Sequence, residues 1–289
     1  MQKKWRAGIV GATGMVGQRF ATLLDNHPYF DVTVLAASPR SAGKSYSEAV
    51  EGRWKMSVPV PSYAADMTVI SATDIDTLKQ NCDFVFCAVD MKKDEIRALE
   101  ERYAKAEIPV VSNNSAHRAT PDVPMVIPEI NDDHLQVIES QRKRLGTKKG
   151  FIAVKPNCSI QCYVPMLTAL LPYEPYEVVV TTYQAISGAG KTFREWPEMI
   201  DNVIPYIGGE EEKSEKEPLK IWGSLENGVI KNNDQVKFTA QCIRVPVTDG
   251  HMGAVFVKFK NRPTKEQIIS AWKNYSGAPQ ALHLPSAPE

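Results

Sequence analysis

The stretch WRAGIVGATGMVGQRF, residues 5–20, joins a short apolar run to a glycine-punctuated turn and then to the opening of an amphipathic segment. WRAGIV reads as a buried strand, GATGMVG as a turn, and QRFATLLDNHP as a helix that stops at Pro28. Gly11, Gly14 and Gly17 form a G-x-x-G-x-x-G pattern in strand-to-helix context. Glycines there let the backbone approach a pyrophosphate, and a helix N-terminus offers N–H groups and a positive dipole end. The turn is either a dinucleotide cradle or a merely tight connection, and its flanking strand and helix favour the cradle.

Working outward, DVTVLAAS (31–38), MTVIS (67–71), DFVFCAV (83–89) and IPVVSN (108–113) read as further strands. Between the last two, MKKDEIRALEERYAKA places Ile96, Leu99 and Tyr103 on one helical face. Strands alternating with helices over about 115 residues imply a doubly wound parallel sheet of Rossmann type. The second strand runs into ASPRSAGK (37–44), which offers no acid for ribose hydroxyls. Ser38, Arg40 and Ser41 suit a 2′-phosphate, so NADP is favoured over NAD unless Arg40 and Lys44 only decorate a surface loop.

The texture changes near residue 156. EVVVTTYQAIS (177–187), QVKFTAQCIRVPV (235–247) and AVFVKFK (254–260) read as long strands, TDGHMG between the last two as an antiparallel turn, and TKEQIISAWKNY as a helix opened by a Thr264/Gln267 capping box. The expectation is a first domain over 1–155 and, over 156–289, an α+β domain with a mostly antiparallel sheet. GGEEEKSEKEP (208–218) is a solvated loop or part of a site, and the proline-rich tail ALHLPSAPE has no element of its own.

The 289 residues are 43% apolar, enough to bury two moderate cores. Lys plus Arg balances Asp plus Glu at 34 each, so no global field holds nucleic acid or an anionic membrane. No apolar run reaches the ~20 residues that span a bilayer, and the N-terminus passes straight into a strand, so a cytoplasmic, unprocessed protein is expected. The five cysteines, Cys82, Cys87, Cys158, Cys162 and Cys242, lack metal-ligand spacing, and neither zinc nor disulfides are expected.

In KPNCS (155–159), Pro156 ends a strand and Cys158 opens an apolar helix expected to run to Leu171. The first turn of a helix lowers a thiol pKa and makes a thiolate available. Cys162, one turn deeper among apolar neighbours, reads as packing. A helix-start cysteine alone is structural or catalytic; a partner base decides. Of His27, His117, His134, His251 and His283, only His251 lies in a tight turn between two strands of the second domain. Arg244 lies seven residues upstream on the preceding strand, and SNNSAHR (112–118) puts Arg118 at a carboxyl edge where open α/β sheets bind ligands. A nicotinamide site, a thiolate and several arginines together suggest thioester chemistry coupled to hydride transfer.

GATGMVGQRF, SPRSAGKSY, SNNSAHR, KPNCSIQ, QAISGAG, PYIGGEEEK and CIRVPVTDGH, in this order, resemble the aspartate-β-semialdehyde dehydrogenase family, in particular its archaeal and fungal-like branch, over nearly the whole chain. The resemblance implies NADPH-dependent reduction of β-aspartyl phosphate through a thioester on Cys158, in lysine, threonine and methionine biosynthesis. It makes His251 the acid/base and has Gln184 orient the acyl group. Arg244 would bind the substrate carboxylate, Glu210 its amino group, and Arg118, Asn114 and Lys213 the phosphate. Gly11, Thr13, Gly14, Met15, Val16, Ser38, Arg40, Ser41, Ser187 and Gly188 would contact NADP. The family also implies a homodimer or homotetramer. A CoA-dependent acyl reductase of the same plan, malonyl-CoA type, and an inactive NADP-binding homologue are the alternatives. Family members run further, into a returning helix with an Asn-Thr-Val-Arg-like stretch absent from these residues, so a truncation or a different closure of the first domain is expected.

Overall fold

The computed structural model describes residues 3–284. Two compact units result: residues 3–124 with 137–155, and residues 125–136 with 156–284. The stretch 125–136, which the sequence places with the first domain, thus packs with the second. Asn131 shows how the stretch closes on itself: its amide donates to the Met125 carbonyl at 2.9 Å, and its Oδ1 accepts the Ile127 N–H at 2.9 Å.

The first unit is a six-stranded parallel sheet in the order β3-β2-β1-β4-β5-β6. The strands are β1 (Trp5–Val10), β2 (Phe30–Ala37), β3 (Val69–Ser71), β4 (Phe84–Cys87), β5 (Val110–Ser112) and β6 (Ile152–Val154). This is the doubly wound order, whose strand direction of travel reverses at β1 and β4 and so opens a crevice at their carboxyl ends. One core cluster gathers Ile9, Leu35, Val69 and Ala21 from β1, β2, β3 and the helix Met15–Leu23. Gly11 follows β1 at φ +88°, and a Cβ there would strike the Ala88 carbonyl; one at Gly17 would strike the Gly11 carbonyl. Both glycines are therefore required by close backbone approach.

In the second unit, β7 (Pro175–Gln184) is followed by a small hairpin of β8 (Ser224–Glu226) and β9 (Val229–Lys231), then by β10 (Lys237–Arg244) and β11 (His251–Phe259). The main sheet has the order β10-β7-β11, with β10 parallel and β11 antiparallel to β7. It is mixed, where the sequence suggested mostly antiparallel pairing. TDGHMG is accordingly not a hairpin turn: β10 and β11 flank β7, and residues 245–250 cross its carboxyl end. The crossing is tied down by Val245 N–H on the Gln184 carbonyl and Ile186 N–H on the Val247 carbonyl.

Two further expectations change. The apolar helix expected from Cys158 to Leu171 is broken into a 3₁₀ turn Ser159–Cys162, a short helix Val164–Thr168 and a second 3₁₀ turn Leu171–Tyr173. Pro165 and Pro172 lack the N–H a continuous helix needs and restrict the residue before them. GGEEEKSEKEP, in contrast, is mostly helical, Glu210–Ile221, with Pro218 inside it. Of the tail ALHLPSAPE, Ala281 is the last residue of a short helix, Ala278–Ala281, 282–284 lie in no helix or strand, and 285–289 lie outside the described residues. Among the described residues, no helix is long and apolar enough to cross a membrane.

Candidate active site

The geometry of the second unit starts from one row of its sheet. Parallel pairing sets Arg244 opposite Gln184, and antiparallel pairing sets His251 opposite the same Gln184. Residues directly opposite in a sheet point to the same face, so three polar side chains from three strands end side by side. Gln184 and Arg244 are buried and His251 is half-buried. The Arg244 guanidinium donates to the Ala185 carbonyl at 2.7 Å, and its burial lowers its proton affinity.

Cys158 is exposed at the entry to the 3₁₀ turn, and its sulfur lies 3.2 Å from His251 Nε2. A four-residue 3₁₀ turn builds no macrodipole comparable with that of a long helix, so the dipole argument for this thiol falls away. The imidazole takes its place. The backbone N–H of Ala185 donates to His251 Nδ1 at 3.0 Å, which makes Nδ1 the lone-pair nitrogen and leaves the proton on Nε2, facing the sulfur. The Cys158 sulfur, as hydrogen-bond partner, raises the proton affinity of His251 against the opposing effect of burial. Cys162 is different: its sulfur is turned to the Ser159 carbonyl at 2.8 Å, and burial pushes its pKa up to about 11.

Glu210 ties the row to the cysteine. Its Oε1 pairs with Lys213 Nζ at 2.6 Å; its Oε2 accepts Asn157 Nδ2 at 2.9 Å and Gln184 Nε2 at 3.4 Å. Burial raises the Glu210 pKa, but Lys213, Asn157 and Gln184 outweigh it, and the carboxyl ends below its usual range. Asn157, which the sequence left without a role, is central: its Oδ1 accepts the Ser159 N–H at 2.9 Å and the Ser159 hydroxyl at 3.0 Å, and lies 3.5 Å from the Cys158 sulfur. An Asn directly before a turn, with a Ser two residues on, is the signal that an Asx-type cap leaves in sequence. Gly188, exposed in a 3₁₀ turn, fits against this group: a Cβ on it would stand 2.9 Å from Arg244 and 3.0 Å from the His251 ring. Ser187 is next to it, its N–H donating to the Thr248 carbonyl.

In the first unit, the helix Met15–Leu23 opens at Gly14 with no side chain capping it and no acid in its first turn. Thr13, Gly14, Met15 and Val16 line that entry, and a Cβ on Gly14 would meet nothing closer than 3.5 Å, so the turn leaves open backbone for an anionic group. Ser38 and Arg40 are exposed beyond β2. Ser41 is buried, its N–H on the Ser38 carbonyl, and its side chain is not presented to a ligand. Asn114 also turns inward, donating to the buried Glu100 at 3.0 Å and lying 3.5 Å from the Cys87 sulfur, which sets it apart from the phosphate role the sequence suggests. Arg118 donates to the Lys155 carbonyl at 3.0 Å and the Asn113 carbonyl at 3.2 Å. His117 is buried against Thr120 and is no candidate base.

The first unit has the strand order of a dinucleotide-binding domain, and the second pairs an exposed cysteine sulfur with an imidazole, both features found in oxidoreductases. Two family models match in agreement: "Semialdehyde dehydrogenase, NAD binding domain" over residues 6–138 and "Semialdehyde dehydrogenase, dimerisation domain" over 164–287. The aspartate-semialdehyde dehydrogenase of Aspergillus fumigatus is 42% identical over 291 residues, covering 99% of this chain and 78% of that protein. That of Methanothermobacter thermautotrophicus is 43% identical over 286 residues, covering 98% and 79%. The crystal structure of aspartate semialdehyde dehydrogenase with NADP from Candida albicans superposes with a TM-score of 0.86 at 35% identity, covering 99% of this chain and 84% of that one. The chain belongs to the aspartate-semialdehyde dehydrogenase family.

Proposed function

We propose that this protein reduces L-4-aspartyl phosphate to L-aspartate 4-semialdehyde with NADPH, reversibly, through a thioester on Cys158. The 3.2 Å approach of His251 Nε2 to the Cys158 sulfur carries this reading. The names and the NADP complex among its relatives support the substrate and the cofactor. The Cys158 thiolate, hydrogen-bonded by the His251 Nε2–H, attacks the acyl carbon, the C–S bond forms, and phosphate departs with the electrons of the broken C–O bond. Lys213 is assigned to that phosphate, Arg244 to the substrate carboxylate and Glu210 to its ammonium group. Gln184 orients the acyl oxygen.

The cradle 11–17 with Ser38 and Arg40 would hold NADPH, and the cofactor supplies a hydride to the thioester carbon. The Nε2–H of His251 hydrogen-bonds the oxygen left anionic by hydride addition, and then the Cys158 thiolate as the C–S bond breaks and the aldehyde carbonyl re-forms. Positioning of a small doubly anionic substrate is the chief specificity device.

We further propose a cytoplasmic homodimer or a tetramer built from it, with no nucleic-acid or membrane partner. The outer face of the mixed sheet supports this, because Val179 and Phe256 stand opposite each other there and Met252 is 69% exposed. The deciding assay is phosphate-dependent NADP reduction with aspartate semialdehyde, set against CoA-dependent NADPH oxidation. Turnover only with CoA would replace the acyl-phosphate reading, and binding of NADP without any turnover would replace both.

A further inference from the structure

The helix Glu210–Ile221 reaches the nucleophile's segment at more places than the reaction described above uses. Positions 210, 213, 214 and 217 lie on one face at helical spacing. Pro218 has no N–H to give the Ser214 carbonyl, and the Tyr163 hydroxyl donates to that carbonyl instead, at 3.1 Å. Glu210 receives the Asn157 side chain at 2.9 Å. One turn beyond Ser214, Glu217 is only 7% exposed, and its Oε2 accepts the backbone N–H of Asn157 at 2.6 Å.

The segment 157–163 is thus fastened at both ends to one helix. At its start the fastener is a buried carboxylate on the amide of the residue directly before Cys158. A charged acceptor makes a shorter and stronger bond to an N–H than a neutral one, at the cost of taking the carboxylate out of water. Placed there, the bond sets the direction in which the chain leaves Asn157. It also sets where the Asn157 side chain, bridging Glu210 and the Ser159 turn, puts the sulfur.

We propose that Glu217 is a positioning residue for the reaction, acting through the Asn157 amide to hold the Cys158 sulfur against His251. It touches neither substrate nor cofactor. The inference rests on Cys158 being the nucleophile, as proposed above.

The test compares Glu217→Leu and Glu217→Gln in the full chain. Measured are kcat, the KM values for semialdehyde and phosphate, and the rate at which iodoacetamide alkylates Cys158. Misplacement of a reacting group by a fraction of an ångström to 1 Å costs up to about 100-fold, so Glu217→Leu is expected to lower kcat and kcat/KM together by at least ~10-fold, with both KM values little changed. Alkylation of Cys158 slows with it. Glu217→Gln, whose side-chain carbonyl accepts the same N–H, recovers most of both rates. If Glu217→Leu does not fold, Glu217→Asp, one methylene too short to reach, is read in its place with the same expectation.

Unchanged kcat and alkylation in the variant overturn the proposal. So does a rise in KM at constant kcat, which would place the residue's effect on binding, and so does a Gln variant as slow as Leu. If the unaltered protein shows no semialdehyde turnover, the reaction assignment fails, and the alkylation comparison still decides the role of Glu217.

Discussion

His251 offers Nε2 to the Cys158 sulfur at 3.2 Å while the Ala185 N–H occupies its Nδ1 at 3.0 Å. One ring is thereby held at both nitrogens, and the proton is committed to the side where the chemistry takes place. Cys158→Ala is expected to abolish turnover and to leave NADP binding intact, read by enzyme assay and titration calorimetry. His251→Gln should lower kcat by about 10²–10⁴-fold, the usual contribution of a positioned acid/base. Wild-type rates in either variant would move the nucleophile or the base elsewhere.

The same pair makes a statement about pH. The Cys158 sulfur raises the His251 pKa above its ordinary value. The stability this interaction contributes is complete below the ordinary histidine pKa and is lost as pH rises through the raised one. In Cys158→Ala the His251 ring should therefore titrate at lower pH than in the unaltered protein, as followed by imidazole NMR resonances. An unmoved or rising titration would contradict the contact.

Thiol chemistry should be confined to one cysteine. Cys158 is exposed, whereas burial pushes Cys162 and Cys82 up to about 11 and raises Cys87 and Cys242. Brief treatment of the native protein with iodoacetamide near neutral pH should leave a single modified peptide in mass spectrometry, the one holding Cys158. Equal labelling of Cys162 would show that the two sites do not differ as described.

Gly188 has no room for a side chain. A Cβ would stand 2.9 Å from the Arg244 guanidinium and 3.0 Å from the His251 ring, tighter than ordinary van der Waals contact. Gly188→Ala is expected to reduce kcat at least ~10-fold by displacing one or the other, with little change in thermal unfolding because the position is exposed. Gly190→Ala, where nothing lies within 4 Å, is strained by its φ of +68° and should instead lower stability with a smaller effect on rate.

Arg40 is the charged candidate, beside Ser38, for separating the two nicotinamide cofactors. It is exposed directly beyond β2. A guanidinium–phosphate contact contributes about 1.5–3 kcal/mol, so Arg40→Ala should raise the KM for NADPH about 10- to 100-fold and leave that for NADH nearly unchanged. Steady-state kinetics with both cofactors checks this.

Much of the first unit can be read in sequence because its signals are local. A strand, a glycine turn and a helix within residues 5–20 depend on neighbours a few positions apart. Tyr103 and Leu99 show their common face by spacing alone. The helix Glu210–Ile221 was hidden because its run of like and unlike charges resembles a solvated loop, and because Pro218 argues against a helix. The missing bond is replaced by Tyr163, far away in sequence. The length of the helix after Cys158 was overestimated from apolar content, which does not weigh Pro165 and Pro172 heavily enough.

The amino-acid sequence by itself determined the glycine cradle, the exposed cysteine's neighbourhood and the residue types of the site, since composition and short spacing suffice for these. Only tertiary structure decided that Arg244, Gln184 and His251 form one row, because a row across three strands depends on register and on β7 lying between β10 and β11. For the same reason the partner of the Cys158 sulfur, 93 positions along the chain, is a matter of strand order, and no local pattern of residues encodes it.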